Sequence, residues 1–172
     1  WGVYNAISNG GNAANIWRTL TNDEWGYLCN TRTAGGTVFG TNQARYTEAT
    51  INTDGTGVNG LIFFPDGVDI ESSEVTTAGT VNSGSAWDNA TKCTVAQWTA
   101  LEAKGCVFLP AAGYRNGTGS KVQGTYGYYW SSTSSGTSVN ALRMAFYKNK
   151  VQNTGNGGRS SGFSVRMVCP AE

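Results

Sequence analysis

The side chains able to do chemistry are few, and one type is missing. The 172-residue chain contains no histidine. A serine or cysteine nucleophile therefore has no imidazole to activate it. Paired carboxylates would have to come from Asp23, Glu24, Asp66, Asp69, Glu71, Glu74 and Asp88, and no spacing among these singles out an acid/base pair. Asp23 and Glu24 already have work at the start of a helix. The four cysteines, Cys29, Cys93, Cys106 and Cys169, form no CxxC pair, and without histidine a zinc site would need all four thiolates. An even count allows three disulfide pairings and requires none; buried free thiols are the simpler reading. The "WDN" of Trp87 to Asn89 offers oxygen ligands of the kind calcium takes, and equally the residues of an Asx turn. The expectation is a protein that is not an enzyme, with no catalytic residues, no metal and no cofactor.

Other motifs fail on context. "GTGVNG" at Gly55 to Gly60 spells the dinucleotide fingerprint, but it precedes the strand-like "LIFF" instead of following a strand and opening a helix. "NAT" at Asn89 and "NGT" at Asn116 are glycosylation sequons by pattern, meaningful only in a eukaryotic secretory setting.

Two helices announce themselves by their starts. In "WRTLTNDEWGYLCN", Thr21 and Glu24 have the capping-box spacing, with Trp25 and Leu28 on one face. In "CTVAQWTALEAKG", Thr94 and Gln97 repeat it, Trp98 and Leu101 form the apolar face, and Gly105 ends the helix. Trp25 and Trp98 are both expected to be buried against the sheet. Strand signals follow in "GLIFFPDG", "CVFLPAAGYRNG", "YGYYWSST", "NALRMAFY" and "GFSVRMV". Residues 33 to 59 and 68 to 92 read as long Gly/Thr/Ser-rich loops without periodicity, and loops that long belong to function or pack on themselves. The class this implies is α+β, as a single domain over residues 1–172.

Composition narrows the partners. Charged residues make up 13% and the net charge is +1, which gives no overall footprint for nucleic acid or an anionic membrane. No run of about 18 apolar residues spans a bilayer. With six Trp and eight Tyr on a polar, nearly neutral chain, an extracellular, cell-surface or virion location is expected. The start at Trp1 suggests the C-terminal part of a longer protein.

At "WRTLTNDEWGYL", "VFLPAAGYRNG", "YGYYWSST" and "GFSVRMV" the chain resembles the Fibrobacter succinogenes major paralogous domain, abundant in Bacteroidetes and built on the C-type lectin fold. The resemblance implies a C-type lectin-like fold with two helices, small antiparallel sheets and long loops. It also implies a scaffold role for the aromatic residues of "GYYWSS" and the Arg of "SVR", with Tyr128, Trp130, Phe146, Phe163 and Val165 filling the core and Arg159 and Arg166 bonding loop carbonyls. Two relatives on that fold set the alternatives. The formylglycine-generating enzymes rely on catalytic cysteines near their C-terminal region; Cys106 and Cys169 have no matching partner motif. The variable proteins of diversity-generating retroelements, found in bacteria and phage, replace adenines in AAC and AAT codons.

The second relative makes "NKVQNTGNGGRSSGF" intelligible. Substituted codons of that kind yield Asn, Ser, Tyr, Thr, Gly, Asp, Ala, Arg and others, but never Lys, Gln, Glu, Met or Trp. The permitted set is dense at Ser134, Ser135, Asn140, Arg143, Ala145, Tyr147, Asn149, Asn153, Asn156, Gly157, Gly158, Ser160 and Ser161. Met144, Lys148, Lys150 and Gln152 fall outside it, so they are either invariant or the mark of a copy that drifted. Tyr with Ser, Gly and Asn is also the composition of a paratope. The function implied is a ligand-binding or receptor-binding module, with residues 134–161 as its surface and a protein or glycan on another cell or host as its partner. A carbohydrate-binding surface domain is the alternative. On this reading the side chains of 134–161 are exposed on one face, over inward-pointing Phe146, Val151 and Phe163.

Overall fold

The computed structural model describes residues 17–53 and 56–169. Among them, in chain order, are β1 (Arg18–Thr19), α1 (Asn22–Gly26), β2 (Thr37–Val38), β3 (Thr41–Asn42), β4 (Tyr46–Thr53), β5 (Thr56–Phe63), β6 (Thr91–Thr94), α2 (Val95–Ala103), β7 (Val107–Pro110), β8 (Tyr114–Asn116), β9 (Gly119–Lys121), β10 (Tyr126–Ser134), β11 (Asn140–Tyr147), β12 (Lys150–Gly158) and β13 (Met167–Val168). Two sheets dominate: β6-β4-β5-β7 and β10-β11-β12. Three two-stranded ribbons complete them, of which β1-β13 joins the two ends of the described chain.

The four-stranded sheet divides the interior. Residues opposite one another on paired strands share a face. Tyr46 and Glu48 of β4, Leu61 and Phe63 of β5 and Leu109 of β7 therefore point one way. On that side Tyr46, Leu61, Phe63 and Leu109 pack with Trp25 of α1 and with Tyr129, Met144 and Phe146 of the three-stranded sheet. Ala49, Ile62 and Cys93 point the other way, into a second core with Phe64 and with Leu101 of α2.

Both helices start as their sequences dictate. Thr21 accepts from the Glu24 N–H and Glu24 bonds the Thr21 N–H; Thr94 and Gln97 do the same for α2. α1 continues as a wide π-type turn, Tyr27–Thr31, closed by the Arg32 N–H on the Tyr27 carbonyl at 3.0 Å. Gly105 ends α2 at φ +92°, where a side chain would be strained. Trp25 is 1% exposed, as expected, whereas Trp98 is half-buried with its ring 5.7 Å from that of Phe108.

The expected fold class does not hold. Strand accounts for 46% and helix for 17%, in several small sheets with only two short α-helices among the described residues. The chain is mostly β, and the expectation of an α+β, C-type lectin-like fold is corrected accordingly. The reason lies in segments read as loops. Residues 33–59 contain β2, β3, all of β4 and the start of β5, and all of "NKVQNTGNGG" after its first residue is β12. β4 ("YTEATINT") lies between two sheet neighbours and two cores, so Thr47, Glu48 and Ala49 in succession are fully buried. A strand covered on both faces shows no alternation to read.

Candidate functional site on the outer face of the three-stranded sheet

β10 and β11 pair from Tyr126↔Tyr147 through Trp130↔Arg143, and β11 and β12 from Tyr147↔Lys150 to Asn140↔Gly158, with an irregularity between Arg143 and Ala145. Gly127, Tyr129, Ser131, Met144 and Phe146 are buried on the inner face. Alternation puts Tyr126, Tyr128 and Trp130, with Arg143 and Tyr147, on the outer one. There the rings stack in a column. Tyr147 lies 4.8 Å from Tyr126, Tyr126 5.8 Å from Tyr128, and Tyr128 4.8 Å from Phe163, all within 19° of parallel. Trp130 packs on Phe163 at 4.4 Å, and Tyr114 of β8 meets Tyr128 and Phe163 edge-on at 5.6 Å. Stacked and edge-on pairs each stabilise by roughly 0.5–1.5 kcal/mol beyond area burial. The column is thus a second, half-buried aromatic layer outside the main core.

Arg143 lies on this layer, its guanidinium carbon 4.8 Å from the Tyr128 ring centre and 5.9 Å from that of Phe163. Its Nε and Nη1 are buried without a hydrogen-bond partner. Burial lowers its pKa from the usual arginine value, and burial raises that of Tyr128, whose neighbour Arg143 pulls it back down. The hydroxyls of Tyr114, Tyr126, Tyr128 and Tyr147 carry no hydrogen bond within the described structure.

The thirteen candidate residues are not brought to one face. Arg143, Ala145, Tyr147, Gly157 and, past the bulge, Ser134 fall on the outer side by register. Asn140, Asn156 and Gly158 fall on the other side of the strands, and Asn153 lies beside Gly26 of α1. Ser135, Asn149, Ser160 and Ser161 are in the connections. Ala145 and Gly157 are buried, and Asn149 holds φ +66° in the β11–β12 turn, a conformation Asn tolerates and most residues do not. Phe146 and Val151 point inward as expected. Phe163 does not: with Tyr128 and Trp130 it builds the outer layer, and Val165 is 40% exposed. Arg159 bonds the Asn140 carbonyl at 2.9 Å, as a scaffold residue should, while Arg166 borders a cavity of about 420 Å³ lined by Trp17, Trp25, Leu28, Phe63 and Met167. No residue of 134–161 lines that cavity.

Sequence reasoning therefore missed the outer layer: it assigned Tyr128 and Trp130 to the core, and gave Tyr114 and Tyr126 no role. The spacing of Tyr126 and Tyr128, two apart on a strand whose alternate residue Tyr129 is buried, was the available signal. It also passed over Glu48, fully buried, its Oε1 without a partner and its carboxyl pushed up to about 7 by burial against the opposing Ser85 bonds. Among the described residues no group of three His, Cys, Asp or Glu could hold a metal. All four cysteines are free, three buried and Cys169 exposed.

Gly157 sets the column's position, because a Cβ there would fall on the Phe163 ring and close to Trp130. Gly157→Ala is expected to cost about 1–2 kcal/mol as an overpacking substitution and to move the near-UV circular dichroism of the aromatic layer. An unchanged spectrum would mean that Phe163 does not rest on this position.

A family model described as a domain of unknown function (DUF8237) matches residues 66–168. That span takes in the whole three-stranded sheet and the segment carrying Phe163, whereas β4 and β5 precede it. No curated protein and no solved structure matches the chain.

Proposed function

We propose that this chain, which belongs to the DUF8237 family, is a binding module that takes its ligand on the outer face of β10-β11-β12. The observation that carries the reading is the aromatic layer itself: Tyr126, Tyr128, Tyr147 and Arg143 fixed on a sheet whose other face is the core, with Tyr114 of β8 edge-on to Tyr128 and no hydrogen bond on the four hydroxyls among the described residues. Tyr and Arg dominate binding hot spots because they bring large contact area and directed hydrogen bonds on few rotatable bonds. Ser134 shares this face by register, and Ser135, Ser160 and Ser161 lie in the connections that follow β10 and β12. The module reads as a non-enzymatic one of the cell surface or a virion, and no described helix is long and apolar enough to cross a membrane.

The test is a display library randomised at Arg143, Tyr147, Lys150, Gln152 and Ser160, sorted separately for folding and for binding. Most members should fold, since substitutions at exposed positions such as Lys150 and Ser160 shift stability by about 0.5 kcal/mol or less. Binding should be lost or redirected, with Tyr147 and Arg143 the positions most constrained in binders. A library that mostly fails to fold would make this face structural and end the proposal.

A further inference from the structure

The ligand's chemistry can be taken a step further, on the premise of the binding face just proposed. Three observations converge. First, Arg143 is a guanidinium with no carboxylate partner among the described residues: its Nε and Nη1 are buried and unbonded, and Nη2 is the nitrogen left to reach solvent. A half-desolvated cation without a counter-ion is unfavourable until an anion meets it. Second, the charge of this part of the chain is one-sided. Of twelve Lys and Arg, eight lie between residues 103 and 171; of eleven Asp and Glu, none does. The net charge of +1 hides this asymmetry. Lys150 stands opposite Tyr147 on the outer face, adding a second cation to the rim.

Third, the column offers edges, not faces. The rings of Tyr126 and Tyr128 are covered on both sides by their neighbours on the stack, so these two offer a nucleobase no free π surface. Only Tyr147 at the end of the column has a face without a ring neighbour, short of the successive platforms that single-strand binders present. The cavity, which would suit an apolar protein anchor, is lined by none of these residues. What the rim does present is a row of phenol hydroxyls, each able to donate and accept, beside the cations of Arg143 and Lys150. That matches a polyol carrying an acid group. We infer that the occupant is an acidic saccharide, its carboxylate or sulfate paired with Arg143 and its hydroxyls bonded by Tyr126, Tyr128 and Tyr147.

The experiment is titration calorimetry on the whole chain with tetragalacturonate, a sulfated tetrasaccharide, a neutral galactan tetrasaccharide, a short polyglutamate and single-stranded oligothymidylate. Binding of one or both acidic saccharides is expected, about tenfold or more tighter than the neutral one, since a hydrogen bond to a charged group carries that much discrimination. The two acidic probes separate carboxylate from sulfate. Added salt should weaken the binding. Arg143→Gln should remove the preference for acidic over neutral sugar, and Tyr126→Phe, which keeps the stack and deletes one hydroxyl, should weaken acidic-sugar binding several-fold. Equal affinity for the neutral sugar, tightest binding to polyglutamate or to the oligonucleotide, or binding to none of the five would overturn the inference. If a non-saccharide probe bound and Tyr147→Ala abolished it while Arg143→Gln did not, the binding face would stand without its acidic sugar. If saccharide binding ignored Arg143→Gln, Tyr126→Phe and Tyr147→Ala alike, both readings would fall.

Discussion

Trp25→Ala is expected to lower the unfolding free energy by about 3–5 kcal/mol, the range for truncating a fully buried large aromatic. Trp25 is the side chain on which two sheets meet. Its ring lies 6.4 Å from Phe63 of the four-stranded sheet and 6.3 Å from Tyr129 of the three-stranded one, and its Nε1–H reaches the Trp130 carbonyl at 3.4 Å. Removing the indole leaves a void between the sheets and an unpaired carbonyl, and neither sheet can close on it without giving up its own register. Trp98→Ala is the control: the same chemistry at a half-buried position should cost distinctly less. Urea unfolding of both variants checks the comparison, and equal losses would show that burial at the sheet junction is not what makes Trp25 costly.

The helix starts were legible in the sequence because a capping box is a local device: Thr21 with Glu24, and Thr94 with Gln97, act within four residues whatever the rest of the chain does. The Asn116-Gly117 turn between β8 and β9 was legible for the same reason, with Gly117 at φ +58°. What stayed hidden depends on long-range company. β4 is a central strand only because β5 and β6 flank it, and its Thr, Glu and Ala are buried by partners no window of sequence contains. β12 pairs on one side only, as the edge of its sheet, so a run of Asn and Gly suffices there and looks like a loop.

The candidate surface was legible in part, and for a related reason. Arg143 and Tyr147 were within the segment chosen, but their partners Tyr126 and Tyr128 come from the neighbouring strand and Phe163 from the return segment after β12. Counting tyrosines as core was reasonable for a strand buried on one face only if the buried face is assigned correctly, and in "YGYYWSS" the buried face carries Gly127, Tyr129 and Ser131. Gly127 leaves the space that the Phe146 ring occupies. The small residues thus mark the inner face here, the reverse of the usual pattern of large side chains inside.

Glu48→Gln should make the protein more stable than the wild type above pH 7 and leave it nearly equal at pH 5. Glu48 is fully buried on β4, its Oε2 accepting the Ser85 N–H at 2.6 Å and its Oε1 unpartnered. Burial raises its carboxyl from 4.5 to about 7, while the Ser85 bonds hold it from going further. A carboxyl whose folded pKa is raised binds its proton more tightly in the native state, so its contribution is fully present below 4.5 and is lost as pH rises through 7. The shift corresponds to about 3 kcal/mol across that window. The Arg18–Glu24 pair runs the other way: the hydrogen bond from Arg18 holds Glu24 down at about 2, so its contribution fades only below the ordinary carboxylate range and does not overlap. Glutamine keeps an acceptor for the Ser85 N–H and has no charge to bury, so the variant lacks the loss between pH 4.5 and 7. Urea unfolding of both proteins at pH 5 and pH 8 measures it. A difference of the same size at both pH values would place the Glu48 carboxyl in the ordinary range and remove the cause proposed for the pH dependence.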